Sequence, residues 1–192
     1  MHRLRCPRLW HGTSRLASPN AAGDNCGMTE PTITPIGPGD LPRVAELAHR
    51  IWPEAFATIL PPERIPGMLA EIYALEALKA DIVERGHQYF IATRAAEDLG
   101  FASAYRADGR VWIKKLYLLK ESRGLGLGKA LIAAARDRFG ADLPVALYVN
   151  DGNAPAIAFY RSQGFEVEKH VPVQMGPYQF HDYVMLKPAR GA

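Results

Sequence analysis

Three alternating glycines lie between an apolar, strand-like stretch and a helix-like one. They are Gly124, Gly126 and Gly128 in the segment RGLGLGK, residues 123–129. Glycine lets a backbone turn tightly and approach a ligand with no Cβ in the way. The first N–H groups of the helix that follows lack intrahelical partners and carry partial positive charge. The segment therefore predicts a site for a phosphate or pyrophosphate group.

Two common nucleotide-binding loops do not fit these residues. A mononucleotide P-loop needs a glycine where Arg123 stands and a serine or threonine where Ala130 stands. The dinucleotide pattern G-x-G-x-x-G fails from either of the first two glycines, because Lys129 and Leu131 occupy the sixth positions. A glycine-rich turn that serves only close packing remains an alternative, as does an unrelated nucleotide site.

A second pair of residues, further along the chain, could also take part in a reaction. Asn153 and Tyr160 are seven residues apart, close to two helical turns, so both point along one face of a helix. A tyrosine hydroxyl at such a position can serve as a general acid. The structural alternative is that Asn153 caps the helix and Tyr160 is a half-buried packing residue. Gly164 would end the helix in the left-handed conformation.

The two segments together resemble the GCN5-related N-acetyltransferase (GNAT) superfamily. The pattern R-x-x-G-x-G at residues 123–128 is similar to its coenzyme A loop. The pattern N-x-x-A-x-x-x-Y-x-x-x-G-F at 153–165 is similar to the motif that follows its fifth strand. The resemblance covers roughly residues 30–188, and residues 170–176 and 182–187 look like the bacterial branch that includes polyamine N-acetyltransferases.

The resemblance implies a function and the residues that carry it. The implied reaction is direct transfer of the acetyl group of acetyl-CoA to a primary amine of a small molecule, with no metal. The implied catalytic residue is Tyr160, which would protonate the leaving thiolate. The implied cofactor-binding residues are Leu118, Leu119, Arg123, Gly124, Gly126, Gly128, Lys129 and Asn153. A protein N-terminal or lysine acetyltransferase and a non-catalytic acyl-CoA sensor are the alternatives, and keeping Tyr160 argues against the sensor.

The general base is not set by a motif. Many members of the superfamily place a glutamate on the central strand, but here residues 111–115 read VWIKK. Two lysines beside an acceptor groove would repel a polyamine, although one solvated and one snorkelling lysine is the structural interpretation of Lys114 and Lys115. Candidate bases acting through water are Glu54, Glu71 and His181. Trp52 and Phe56 are either core residues or the wall of the acceptor site.

Apolar spacing and turn residues predict the elements that hold these side chains. The expected strands are 32–35, 89–93, 100–105, 111–119, 145–149, 165–171 and 183–186. The expected helices are 40–52, capped by Asp40 and ended by Pro53, one through Leu75 up to Gly86, then 127–139 and 154–163. Hairpin turns are expected at Glu97-Asp98 and Asp108-Gly109.

The predicted fold class is therefore α/β, with the order β-α-α-β-β-β-α-β-α-β-β. The first half of the sheet should be antiparallel and should change to parallel pairing at the crossover helix. Together with the resemblance, this predicts the single-domain acyl-CoA N-acyltransferase (GNAT) fold, with a mixed sheet of six to seven strands and about four helices.

Composition fits one globular domain with an N-terminal extension. The chain has 192 residues, 48% apolar and 22% charged, and no apolar stretch long enough to span a bilayer. Residues 1–27 are predicted to be a disordered or misassigned leader, ahead of an N-acetyltransferase domain at 28–192; they hold both cysteines, Cys6 and Cys26.

The net charge of +3 also comes from this leader, because residues 28–192 carry 19 basic and 19 acidic side chains. The folded part therefore has no bulk bias toward nucleic acid or an anionic membrane. A cytoplasmic enzyme is expected, and the resemblance adds a homodimer without locating an interface.

Overall fold

The computed structural model describes residues 30–175 and 178–189, which form a seven-stranded mixed sheet and five α-helices. The strands are β1 (Thr32–Ile36), β2 (Gln88–Arg94), β3 (Glu97–Ala107), β4 (Arg110–Leu118), β5 (Val145–Asn150), β6 (Glu166–Met175) and β7 (Tyr178–Lys187). The helices are α1 (Leu41–Ala55), α2 (Ile65–Ile72), α3 (Leu75–Val83), α4 (Leu127–Phe139) and α5 (Ala154–Ser162). The expected α/β fold is confirmed, with one more helix than predicted. The leader predicted at residues 1–27 lies outside the described residues.

The sheet changes from antiparallel to parallel pairing at one place. Its strand order is β1-β2-β3-β4-β5-β7-β6, and β4 and β5 are the parallel neighbours. Helix α4 crosses over between them, since parallel strands cannot be joined by a tight turn. The predicted change at the crossover helix is thus confirmed. Strand β7 lies between β5 and β6, so the C-terminal hairpin forms one edge of the sheet, with β6 outermost.

The parallel pairing of β4 with β5 is short. It begins at Val111–Val145 and ends at Ile113–Leu147, although both strands continue beyond this pair. Residues 114–118 of β4 and 148–150 of β5 therefore bound an unpaired region, the β4–β5 gap. Such a gap leaves strand-edge N–H and C=O groups for a ligand.

A β-bulge lies where the gap begins. Lys115 pairs with Ser103 and Ile113 pairs with Ala104, so Lys114 is the extra residue on β4. A bulge bends its strand and increases the local twist. The bend coincides with the end of the β4–β5 pairing.

Two apolar clusters pack on the two faces of the sheet. One lies under α4 and α5 and includes Leu131 and Tyr160. The other lies under α1, α2 and α3 and includes Leu47, Trp52 and Tyr73. The β4–β5 gap is thus flanked by one cluster on each face.

Helix α1 differs from its prediction at both ends. The expected buried face is confirmed, but Asp40 makes no capping hydrogen bond; its carboxylate instead pairs with Arg43 at 3.1 Å. The helix also continues through Pro53 to Ala55. Pro53 is exposed in the last turn, where the carbonyl of exposed His49, four residues earlier, can be solvated.

The second predicted helix is two helices, so that prediction was wrong. Helix α2 ends at Ile72 and α3 begins at Leu75, with Ala74 in an extended conformation between them. The break turns the buried ring of Tyr73 into the core, where its hydroxyl accepts a hydrogen bond from Trp52 Nε1 at 3.1 Å. Leu75, expected on the buried face, is 49% exposed.

One of the two predicted hairpin turns is displaced. The turn before β3 is at Ala95-Ala96, with φ of 50° and 66°, and not at Glu97-Asp98. Asp98 is held in β3 because its carboxylate accepts two hydrogen bonds from Arg43, at 2.9 and 2.7 Å. The turn at Asp108-Gly109 is confirmed.

Candidate active site

The three glycines of the loop serve two different purposes. Gly124 and Gly126 have φ of +82° and +77°, and a Cβ built at either would meet nothing within 4 Å. They satisfy a left-handed backbone and leave open space above the loop. Gly128 instead lies against α5, where a Cβ would approach Phe159 Cζ to 2.7 Å. Gly124 and Gly126 therefore border open space, whereas Gly128 allows the close approach of α5.

The N-terminus of α4 faces this open space. Gly126 is its N-cap, no side chain caps it, and Ala130 N–H donates to Gly126 O at 3.1 Å. The amides of the first three helical residues, 127–129, therefore precede the intrahelical ladder and can bind an anion. Exposed Arg123 and Lys129 flank them. This arrangement fits the predicted diphosphate.

The two leucines expected to contact the pantetheine arm differ in their backbone bonds. Leu119 N–H donates to Leu99 O at 2.9 Å, and Leu119 O accepts from Ser122 N and Oγ. Because bonding directions alternate along an antiparallel strand, Leu118 directs its N–H and C=O away from β3 and toward the gap. The Leu119 amide is therefore committed within the protein, whereas the Leu118 amide can meet a ligand.

Tyr160 lies on α5 with its ring buried against Phe159 and Phe165, at centroid distances of 5.3 and 5.6 Å. Its hydroxyl hydrogen-bonds no other group in the described part of the chain. Burial raises the pKa of Tyr160 above its usual range, and the nearby Tyr117 of β4 adds to the effect. The phenol is therefore protonated across the physiological range.

Asn153 has a structural task at the start of α5. Its Oδ1 accepts a hydrogen bond from Ala156 N at 3.2 Å, which makes it the N-cap that the structural alternative predicted. A cofactor contact through its Nδ2 stays a prediction.

Aromatic side chains line the gap on the face opposite α4 and α5. Trp52 is a core residue, 3% exposed, whereas Phe56 is half-buried. The ring of Phe56 lies 4.3 Å from that of Trp52 and 6.2 Å from that of Tyr117. Phe56 and Tyr117 thus present apolar surface toward the gap, and Trp52 supports them from behind.

The lysines of β4 do not lie as predicted. Lys114 is exposed, but Lys115 is buried and does not snorkel: its Nζ lies 2.6 Å from Asp81 Oδ2 and 3.0 Å from the Tyr89 hydroxyl. Burial would raise the pKa of Asp81, but the hydrogen bonds from Lys115 and Tyr89 outweigh it and hold that pKa below its usual range. Lys115 therefore joins β4 to α3 and is not available to the gap.

The three predicted water-mediated bases all lie on the protein surface. Glu54, Glu71 and His181 are exposed, and Glu54 pairs with Lys120 at 3.3 Å and Arg123 at 3.8 Å. Sequence reasoning missed the half-buried carboxylate of Asp182 on β7. Its only sequence signal is that it is the one acidic residue of β7, and no spacing ties it to the glycine loop.

No metal cluster accompanies these residues. Within residues 30–175 and 178–189, no group of three or more His, Cys, Asp or Glu side chains is arranged to hold a metal ion. None of the helices in that part of the chain combines the length and apolarity needed to cross a bilayer.

A diphosphate cradle that leads into an unpaired strand edge, with a phenol on one side, defines a coenzyme A-dependent acyltransferase. The acetyltransferase (GNAT) domain family matches residues 85–167 of the chain. An uncharacterised N-acetyltransferase of Mycobacterium bovis is 30% identical over 153 residues, 77% of this chain and 97% of that protein. The chain therefore belongs to the GNAT family and is an acetyl-CoA-dependent N-acetyltransferase.

Solved structures share the fold. The PaiA N-acetyltransferase of Thermoplasma acidophilum, in complex with coenzyme A, has a TM-score of 0.70 at 26% identity and covers 82% of this chain and 98% of its own. The ribosomal-protein-S18-alanine N-acetyltransferase of Escherichia coli has a TM-score of 0.62 at 20% identity, with coverage of 84% and 96%. The bound coenzyme A of the first structure supports acetyl-CoA as the co-substrate.

Proposed function

We propose that this enzyme transfers the acetyl group of acetyl-CoA directly to a primary amine of a small molecule. The observation that carries the proposal is the β4–β5 gap. One end of the gap opens on the glycine loop, and Tyr160 flanks it on the α4–α5 side. A diphosphate on the loop and a thioester in the gap would be held by one continuous surface.

Different groups of the chain bind the diphosphate, stabilise the thioester oxygen and protonate the leaving sulfur. The amides of residues 127–129 bind the diphosphate, and Leu118 N–H, directed into the gap, stabilises the negative charge that develops on the thioester oxygen. Tyr160 protonates the departing sulfur. Its raised pKa keeps the proton available until the thiolate forms.

A small acceptor fits the opposite side of the gap. Half-buried Phe56 and Tyr117 supply an apolar wall on that side, and Trp52 and Tyr73 fill the space behind it. Because acetyl-CoA is made and used inside cells, we place the reaction in the cytoplasm; a homodimer remains a prediction.

The test is an assay of free coenzyme A with a thiol-reactive dye, in which acetyl-CoA is offered with a panel of amines. The panel contains alkyl and aryl monoamines, polyamines, amino acids and short peptides with free N-termini or lysines. We expect turnover with at least one small amine and little with peptides. Turnover confined to peptides would replace the proposal with a protein acetyltransferase, and binding of acetyl-CoA without turnover would replace it with an acyl-CoA sensor.

A further inference from the structure

Strand β4 offers no carboxylate to an acceptor amine. Its nine residues, RVWIKKLYL, contain no acidic side chain, and exposed Lys114 occupies the bulge beside the gap. An amine is protonated at neutral pH and attacks only after losing a proton, so a general base must come from another element.

Asp182 lies on the strand that brings a carboxylate to the same region. Strand β7 pairs with β5, and Asp182 is the register partner of Asn150 at the end of β5. Asn150 Nδ2 donates to Asp182 Oδ1 at 3.4 Å, which fixes the carboxylate at the rim of the gap. Phe180, two residues before it and on the same side of the strand, packs in the cluster that contains Tyr117.

Electrostatics also couples Asp182 to Tyr117. Burial and the negative charge of Asp182 raise the pKa of Tyr117 to about 12, although Tyr73 acts to lower it. The charged or titratable described groups that act on Asp182 are Asp151 beside β5 and Lys114 on β4. By its register and by the packing of Phe180, Asp182 thus lies at the end of β5 on the face of the sheet that carries Tyr117.

We propose that Asp182 receives the acceptor's ammonium group and accepts its proton, and that the acceptor is a monoamine on an apolar body. This assignment rests on the proposed function and specifies the acceptor side of the same site. The apolar body follows from Phe56, Tyr117 and Phe180, which pack on that side. A second ammonium group is disfavoured by the exposed charge of Lys114.

The proton and bond changes balance without another reactant. Asp182 takes one proton from the ammonium group and releases it to solvent. The neutral nitrogen attacks the thioester carbonyl, the C–N bond forms, and the C–S bond breaks with its electron pair on sulfur. Tyr160 gives its proton to that thiolate and regains one from the acylated nitrogen. The products are the N-acetyl amine and free coenzyme A.

The environment of Asp182 suits a base. Burial raises its pKa above the usual range, Asn150 and Lys114 partly offset the rise, and Asp151 adds to it. A carboxylate with a raised pKa is a stronger proton acceptor than an ordinary aspartate. The raised pKa also has a stability cost at pH 7, because the folded state disfavours the charged form.

The experiment compares wild type, Asp182→Asn and Asp151→Asn with an amine that the panel finds active. Asp151 is the matched control, because its exposed carboxylate lies at the same strand end but bonds His170 at 3.0 Å. We expect Asp182→Asn to lower kcat/KM by about 10²–10⁴-fold, the usual range for a general base. Affinity for coenzyme A, measured by calorimetry, should stay at the wild-type value. Asp151→Asn removes only one of the charges that act on Asp182, so it should lose far less activity than Asp182→Asn.

Two further readouts separate a base from a structural residue. The loss caused by Asp182→Asn should shrink as acceptors of lower amine pKa are used, since these need less help to lose a proton. The thermal midpoint of Asp182→Asn should rise above that of wild type at pH 7, and the difference should vanish as the pH falls below the usual range of an aspartate. Benzylamine should be a better substrate than spermidine.

Each outcome decides a separate point. Wild-type inactivity with every amine contradicts the proposed function and this assignment with it. An active wild type with an equally active Asp182→Asn, or equal losses in both aspartate variants, contradicts the assignment alone. A loss that is the same for all amines shows a structural role, and a preference for spermidine overturns the monoamine class.

Discussion

The side chain of Tyr160 is fixed by its ring and not by its hydroxyl. The ring packs against Phe159 and Phe165, while no hydrogen bond ties the hydroxyl to another described residue. Asn153, on the same helix, is used in the opposite way, because its side-chain oxygen is committed to the helix cap. The motif at residues 153–165 thus contains one residue that stabilises the helix, Asn153, and one that the helix positions, Tyr160.

Removing the Tyr160 hydroxyl should therefore affect chemistry more than folding. We expect Tyr160→Phe to lower turnover by about 10²-fold, as loss of a general acid does, with coenzyme A affinity and thermal midpoint close to wild type. The matched control is Tyr105→Phe on β3, where the ring is half-buried and stacks on His87 at a centroid distance of 4.7 Å. Unchanged turnover of Tyr160→Phe, under conditions where chemistry limits the rate, would remove Tyr160 from the role.

At the scale of elements, the loop before α4 acts through its backbone. Gly126 and Gly86 both have left-handed φ values, +77° and +67°, and a Cβ meets nothing within 4 Å at either. Alanine should cost each position about 1–2 kcal/mol of stability. Because Gly126 lies at the diphosphate cradle, only Gly126→Ala should also weaken coenzyme A binding, as calorimetry measures. Equal affinity in the two variants would contradict a binding role for the loop.

The ion pair of Lys115 and Asp81 connects β4 to α3. Both residues are buried, and Tyr89 completes the hydrogen bonding. Lys115→Met leaves an uncompensated carboxylate and should lower the free energy of unfolding by about 3–5 kcal/mol in urea titrations. The double variant Lys115→Met with Asp81→Asn should recover much of this loss. A single variant as stable as wild type would show that the pair contributes nothing to stability.

Much of the fold could be predicted because apolar spacing and turn residues are local signals. The buried face of α1, the turn at Asp108-Gly109 and the crossover at α4 follow from such signals. The break between α2 and α3 could not be predicted, since it depends on where Tyr73 finds space beside Trp52. The bulge at Lys114 could not be predicted either, because it depends on how β4 pairs with β3 and not on the residues of β4 alone.

In the candidate site, too, the parts set by local sequence could be predicted, and the parts set by tertiary structure could not. The glycine loop and Tyr160 lie in contiguous motifs whose spacing is visible in the sequence. Asp182 becomes a neighbour of Tyr117 only because β7 enters the sheet beside β5, and strand order is a tertiary property. Similarly, Gly128 could not be separated from the other glycines until α5 placed Phe159 against it.

At the scale of the whole molecule, the described residues 30–175 and 178–189 supply both apolar clusters and the complete gap. We therefore expect a protein that lacks residues 1–27 to keep its thermal midpoint and its turnover of acetyl-CoA. A truncated protein that fails to fold would refute the prediction.

Because only three residue pairs join β4 to β5, the sheet can be divided into two halves at this point. On one side lie the first four strands with α1 to α4, and on the other lie β5 to β7 with α5. The exposed linker at Ala141-Asp142 joins the two halves, so a cut there would yield two fragments with complementary apolar faces. Acetyl-CoA would contact both fragments, so its concentration would set how tightly they reassemble. The scaffold is therefore suited to a split reporter of acyl-CoA.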